Sequence, residues 1–236
     1  MRRNFLRLSM LLVVALLLTG CFGRERVMVP PKIDLGGAES VAVIYFENYT
    51  EYPGAAYDIE ERIGEKLREY YYVVDRGRVE SALAELGLRR GLMPTRDEIR
   101  RLGRMLDVDV IVTGEVVSYF EEIVQDPPYI AKLSEDRTKA EWEVKQRTHV
   151  VLNFAGRVLD TRSGNIIYSR RVQGEASETQ KTRLSWTKPD EAPSWILIPN
   201  PSRTDLPSAR TRSVNQAVDQ FTADLLPTYV WRKIEE

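Results

Sequence analysis

The sequence predicts an α/β (α+β) domain, a single mixed sheet with flanking helices, and three observations predict it. Val41-Ala42-Val43-Ile44-Tyr45-Phe46 is an almost unbroken apolar run, the composition of a central strand buried on both faces. Four stretches place apolar residues at helical spacing with charges between them. Late in the chain, two strand-like stretches flank Thr161-Arg162-Ser163-Gly164-Asn165, which has the composition of a hairpin turn.

The elements follow in order. The first strand opens at Ser40 and ends in Glu47-Asn48-Tyr49-Thr50. Residues 57–70 set Ile59, Ile63 and Leu67 four apart among Glu60, Glu61, Glu65, Lys66 and Arg68, an amphipathic helix, and 71–74 is a short strand. Residues 78–86 carry Val79, Leu83 and Leu86 at helical spacing. Residues 95–106 do the same with Ile99, Leu102 and Leu106, and Thr95 with Glu98 three positions on is a capping box. A second buried strand spans 108–118, residues 148–160 alternate apolar and polar, and 166–175 is the hairpin partner. Residues 212–226 close the domain as a helix with Val214, Val218, Phe221 and Leu225 on one face, so the helices pack on the sheet in layers. Asp75 and Arg76 are expected to cap and pair at a strand-to-helix junction, Gly114 to allow a bend or a close approach, and Gly164 to supply a turn with positive φ.

Ahead of this domain, Arg2, Arg3 and Arg7 precede an uncharged apolar run over 8–18. That is a signal-peptide profile, and the run is about half the ~20 residues a helix needs to cross a bilayer. Leu18-Thr19-Gly20-Cys21 resembles the lipobox of bacterial lipoproteins. The resemblance implies removal of 1–20, a diacylglyceryl group on the Cys21 thiol and an N-acyl chain (palmitate) on the new amine, with no other cofactor. Two or three acyl chains, at about 0.8 kcal/mol per buried methylene, anchor a protein almost permanently. Cys21 is the single cysteine, so it has no disulfide partner within the chain. Phe22, where an Asp would favour inner-membrane retention, points to the outer membrane with the domain facing the periplasm. Arg2-Arg3-Asn4-Phe5-Leu6-Arg7 also resembles a twin-arginine export signal, although the strongly apolar core fits the general secretory route better.

Residues 21–39, with Pro30-Pro31 and Gly36-Gly37, read as a lipidated tether, an extended spacer between membrane and domain. The 34 basic residues lose Arg2, Arg3 and Arg7 with the signal against 35 acids, leaving about −4. Such mild acidity gives no basic field for nucleic acid or for anionic lipid.

Four segments then resemble one family in order and spacing. They are Ala42-Val43-Ile44-Tyr45-Phe46-Glu47-Asn48-Tyr49-Thr50; Val73-Val74-Asp75-Arg76 with Val79 to Leu86; Arg101 to Val116; and Arg157 to Ile167. Across roughly 40–175 they resemble the curli-secretion-channel (CsgG-like) lipoproteins and the related lipoprotein activators of penicillin-binding proteins. The resemblance implies a periplasmic domain over 40–236 with a fold like an anticodon-binding domain. It also implies an envelope protein partner and allows a homo-oligomer. For a channel it further implies two membrane hairpins per subunit, one inserted before the strand at Thr148 and one after the strand ending near Glu175.

The corresponding insertions are 121–147 and 176–210. The first is rich in charge and contains Pro127-Pro128. The second contains Pro189, Pro193, Pro199, Pro201 and Pro207, which suit a wrapped loop. Neither offers the nine to eleven residues with a steady apolar face that a membrane strand needs. A loop of this length is uncommon in a compact domain, and it holds Trp186, Trp195, Ile196, Leu197 and Ile198. These residues are either an exposed docking patch for a protein partner or an arm packed on the sheet. For catalysis, His149 is the only histidine and there is no phosphate loop, nucleophile elbow or metal motif. Asp107, Asp109, Glu121 and Glu122 fall where solvated loops are expected. The sequence therefore points to a non-enzymatic protein-binding or assembly factor of the envelope: a secretion accessory or a cell-wall synthase activator. A channel subunit is the alternative, and an envelope enzyme the remoter one.

Overall fold

The computed structural model describes residues 24–33, 35, 37–89, 92–186 and 190–233. In chain order these form β1 (Arg24–Val29), β2 (Ser40–Asn48), α1 (Ala55–Leu67), β3 (Tyr72–Val73), α2 (Arg76–Glu85), α3 (Arg96–Leu106), β4 (Val110–Gln125), β5 (Tyr129–Leu133), β6 (Ala140–Asp160), β7 (Ile166–Trp186), two 3-10 turns (Ser194–Leu197 and Pro201–Arg203), α4 (Leu206–Thr222) and β8 (Thr228–Lys233). The expected signal segment 1–20 and the lipidation site Cys21 lie outside the described residues.

One six-stranded mixed sheet carries the domain. β3, β2 and β4 are parallel, while β4, β5 and β7 all run antiparallel to β6. β4 and β5 follow one another along one edge of β6, and β7 lines its other edge. Helices cover both faces. Ile59, Ile63 and Leu67 of α1 and Val214, Val218 and Phe221 of α4 pack on Val41, Phe46, Val112 and Phe154. On the opposite face Val79, Leu83, Ile99 and Leu102 of α2 and α3 pack on Ala42, Ile44, Ile111 and Leu159. Successive residues of β2 thus point into two cores, which is why its apolar run is nearly continuous.

Local signals are realised as expected. The Thr95 hydroxyl accepts from the Glu98 amide at 3.4 Å while the Glu98 carboxylate accepts from the Thr95 amide at 2.7 Å. Asp75 caps α2 by accepting from the Gly77 amide at 2.8 Å, and Arg76 pairs with Glu80 and Glu60. Gly164 has φ +71° at the β6–β7 turn, and a Cβ on Gly114 would collide with the Ala155 carbonyl and the Phe46 ring. Glu60 departs from its expected solvated position. It is buried, its carboxylate accepting from the Phe46 amide at 2.8 Å where the β2–β4 register shifts, and Arg76 balances its charge at 3.0 Å.

Other expectations are corrected. The stretch 121–147 is strand over most of its length, because β4 runs on to Gln125, β5 follows, and β6 begins at Ala140. The stretch 176–210 is not one wrapped loop: β7 continues to Trp186 and α4 begins at Leu206, six residues before the expected 212. The tether is not wholly extended spacer, since Arg24–Val29 is a strand paired with Thr228–Lys233, and Ile33 and Leu35 pack on the core. Glu121 lies on β4 and pairs with Arg210 at 2.8 Å, so it is not a loop acid.

Asp109, also expected in a solvated loop, ties the start of β2 to the start of β4. Its Oδ2 accepts from the Glu39 amide (3.0 Å), the Ser40 amide (3.2 Å) and the Ser40 hydroxyl (2.9 Å). The Glu39 amide is the chief reason that its carboxyl titrates below the ordinary range. Asp109→Ala is expected to cost about 1.5–3 kcal/mol at neutral pH, the value of hydrogen bonds to a charged acceptor. A carboxyl depressed in the folded state stabilises above its unfolded value, and that contribution disappears as pH falls through the folded value. Urea melts of wild type and variant should therefore differ at pH 7 and converge in acid below the unfolded carboxylate range.

Candidate partner-docking surface

β6 and β7 are each 21 residues long, far more than the helices can cover. At about 3.3 Å per residue such a strand has a contour near 65 Å. The half with Asp160, Val110 and Ser40 is the base inside the layered domain. The half with Gln125, Ala140 and Trp186 projects as an arm beyond Asn48, where β2 ends.

The two faces of the arm differ. On one, Ala140, Trp142 and Val144 stand beside Leu184 and Trp186, and Ile196 presses onto them from the 3-10 turn at 194–197. Closer to the base, Val150 meets Leu206 and Ala209 at the start of α4. Gln125 donates to the Ile196 carbonyl at 2.7 Å and Gln146 to the Asn200 carbonyl at 3.4 Å, fastening the cover to the strands. The other face is charged. Glu143 is clamped by the Tyr129 hydroxyl and by Arg183 at 2.7 Å, and these two hold its carboxyl below the usual range. Arg147 pairs with Asp126 at 3.0 Å, and His149 hydrogen-bonds Ser177 at 3.0 Å beside Glu175.

Among the five residues singled out from the sequence, the structure makes a division. Ile196 is 0% exposed and Trp186 packs beside it, so these two belong to the arm's own core and not to an outer surface. Trp195, Leu197 and Ile198 are 46%, 54% and 66% exposed. Ile130 and Leu133 extend the apolar group. They pair with Trp142 and Ala140, so they share the covered face, and both stay exposed at its margin. Sequence reasoning missed these two because their strand becomes visible only once β6 is present to pair with it.

Where arm and domain meet, Arg210 of α4 donates to the Tyr119 hydroxyl (3.1 Å) and to Glu121 (2.8 Å), and its guanidinium lies 4.6 Å over the Tyr52 ring. Burial, and then donation to Glu121, push the Tyr119 hydroxyl well above the ordinary phenol range, so it stays protonated. Arg210 also lines an open cleft of about 420 Å³ between α1 and α4, with Asp58, Arg62 and Glu65 among its walls. These contacts fasten α4 to β4 where the arm leaves the domain. Among the described residues no group of three or more His, Cys, Asp or Glu is placed to hold a metal, and no helix is long and apolar enough to cross a membrane.

In class, this is a layered α/β domain with an extended β arm, and its candidate site is a surface and not a cleft. The chain belongs to the family of the curli production assembly/transport component CsgG, whose model matches residues 66–186. No curated protein matches it. Similar solved structures include the LpoB C-terminal domain from Salmonella enterica (13% identity, TM-score 0.38, covering 61% of this chain and 84% of that one). Lipoprotein GNA1162 from Neisseria meningitidis is similar at 14% identity and TM-score 0.38, covering 67% and 89%. The PelC dodecamer from Paraburkholderia phytofirmans is similar at 15% identity and TM-score 0.37, covering 86% and 97%.

Proposed function

We propose that this chain is a periplasm-facing lipoprotein of the outer membrane, anchored by acyl chains on Cys21, and that it acts without catalysis by docking a protein partner of the envelope. The observation that carries the reading is the exposed apolar group Trp195, Leu197 and Ile198, with Ile130 and Leu133, on an arm braced by Arg210. Aromatic and aliphatic side chains on a rigid support, with charges beside them, are what a protein interface uses at its centre and rim. Family membership supports a place in an assembly, either as a secretion accessory or as an activator reaching a cell-wall synthase.

A second reading is a channel subunit, favoured by the overlong β6 and β7 at the positions where the family resemblance implies membrane hairpins. Against it stands the chemistry of both arm faces. One bears Glu141, Glu143, Lys145, Arg147 and His149 in alternation, and the other is covered by Ile196 and α4. Neither leaves an apolar band free for lipid. Light scattering of the full lipoprotein in mild detergent, alongside planar-bilayer conductance, decides between the two. A monomer or small oligomer without steady conductance is expected; a large ring with conductance would make this chain a channel subunit.

A further inference from the structure

Among the described residues, the first and last strands pair only with each other. Arg24–Val29 and Thr228–Lys233 form a separate two-stranded antiparallel ribbon, outside the six-stranded sheet. Two strands alone bury too little to be stable in water and normally need a further layer. The register puts Arg26 opposite Trp231 and Met28 opposite Tyr229, so these four share one face. Met28, Tyr229 and Trp231 are all exposed, Trp231 at 67%, and the Arg26 guanidinium stacks 4.1 Å over the Tyr229 ring. Arg26 is the basic residue whose side chain is described on this face, while Arg232 falls opposite Glu25 on the reverse face; by sequence the two strands hold four basic residues against one acid, in a chain that is otherwise mildly acidic. Whole-chain charge conceals this local excess of basic residues.

We propose that this ribbon face is a second membrane contact, lying in the headgroup layer of an anionic phospholipid bilayer. Tyrosine and tryptophan are the side chains that settle at a membrane–water boundary, with an apolar ring on one side and a polar tip on the other. Basic residues beside them meet lipid phosphates and acidic headgroups. Chain length supplies the proximity: Arg24 is three residues from Cys21, at most about 11 Å along an extended chain. This rests on the reading that Cys21 carries acyl chains; with those chains in the leaflet, the ribbon starts in the headgroup layer. The ribbon joins the body at the base, where the Ile33 amide donates to the Asp224 carbonyl at 3.0 Å and Lys32 pairs with Asp224 at 3.0 Å. Two contacts in place of a loose tether therefore hold the base to the membrane and leave the arm directed away from it.

The test uses the full-length lipoprotein in vesicles of phosphatidylethanolamine and phosphatidylglycerol with brominated acyl chains, read by tryptophan fluorescence. Wild type is expected to lose part of its emission to the bromines. Trp231→Phe should lack that quenchable part with an unchanged far-ultraviolet spectrum, and Trp195→Phe should retain it. Omitting phosphatidylglycerol should reduce the Trp231-dependent quenching of protein added to preformed vesicles. Quenching equal in wild type and Trp231→Phe overturns the proposal, and quenching indifferent to phosphatidylglycerol overturns its anionic part. Mass measurement of the N-terminal peptide reads Cys21 acylation separately. Acylated Cys21 without Trp231-dependent quenching leaves the anchor standing and removes the ribbon contact; unmodified Cys21 with that quenching does the reverse.

Discussion

Phe221→Ala is expected to lower the unfolding free energy by about 3–5 kcal/mol, the range for emptying a buried aromatic site. Phe221 is fully buried on α4. Its ring meets Phe154 edge-on at 5.7 Å and Tyr168 at 5.6 Å, and Phe154 in turn meets Phe46 edge-on at 5.8 Å. The ring sits over Gly156, where a Cβ would strike it, so the floor of the site is the β6 backbone. A floor of laddered strand cannot sag into the space, and the cost lies in the cavity as much as in the lost transfer of apolar area. Domains of ordinary stability have roughly 5–15 kcal/mol to lose. Urea unfolding followed by circular dichroism should therefore show a large fall in midpoint. Tyr168→Phe should cost far less, since it keeps the ring contact and gives up the hydroxyl's bonds to the Phe221 carbonyl and, at 3.4 Å, to the Asp224 carboxylate.

The layered core was legible because its signals are local. The run from Val41 to Phe46, the four-residue steps of Ile59, Ile63 and Leu67, and the box of Thr95 with Glu98 each declare themselves within a few residues. The arm was not legible, because its strands depend on partners far along the chain. Glu121 finds Arg210 89 positions away, and the stretch from Ala176 to Ser185 is polar on nearly every residue, a strand only because β6 offers it a ladder. By composition the prolines mark loop throughout 176–210. Pro207, however, falls in the first turn of α4, where its missing amide costs nothing, so the helix starts earlier than its apolar periodicity suggested. The ribbon left no local trace, since Arg24 and Lys233 stand at opposite ends of the described chain. For the candidate surface, sequence supplied the cluster from Trp195 to Ile198 but not its division, which depends on which side chain the 3-10 turn directs inward.

That division sets the second large effect. Trp195→Ala together with Leu197→Asp is expected to weaken partner engagement by at least about 30-fold, the scale of a hot spot worth roughly 2 kcal/mol. Thermal stability should change little, because Leu197 is more than half exposed and nearly half of Trp195 is open to solvent. Ile196→Asp is the counterpart: it drives a carboxylate into the layer of Ala140, Trp142 and Val144, and should loosen the cover by melting. Among the described residues that layer already holds Gln125 Oε1, Trp142 Nε1, Gln146 Oε1 and Thr148 Oγ1 without hydrogen-bond partners, so it has little polar bonding to offset a new charge. A photoreactive residue at position 198, cross-linked in living cells and compared with thermal melts of the same variants, separates the two effects. Loss of the cross-link in the Trp195/Leu197 variant with an unchanged melt identifies a surface whose apolar side chains serve another protein. Equal melting in both variants would make the whole turn core, and the docking site would have to lie elsewhere on the arm.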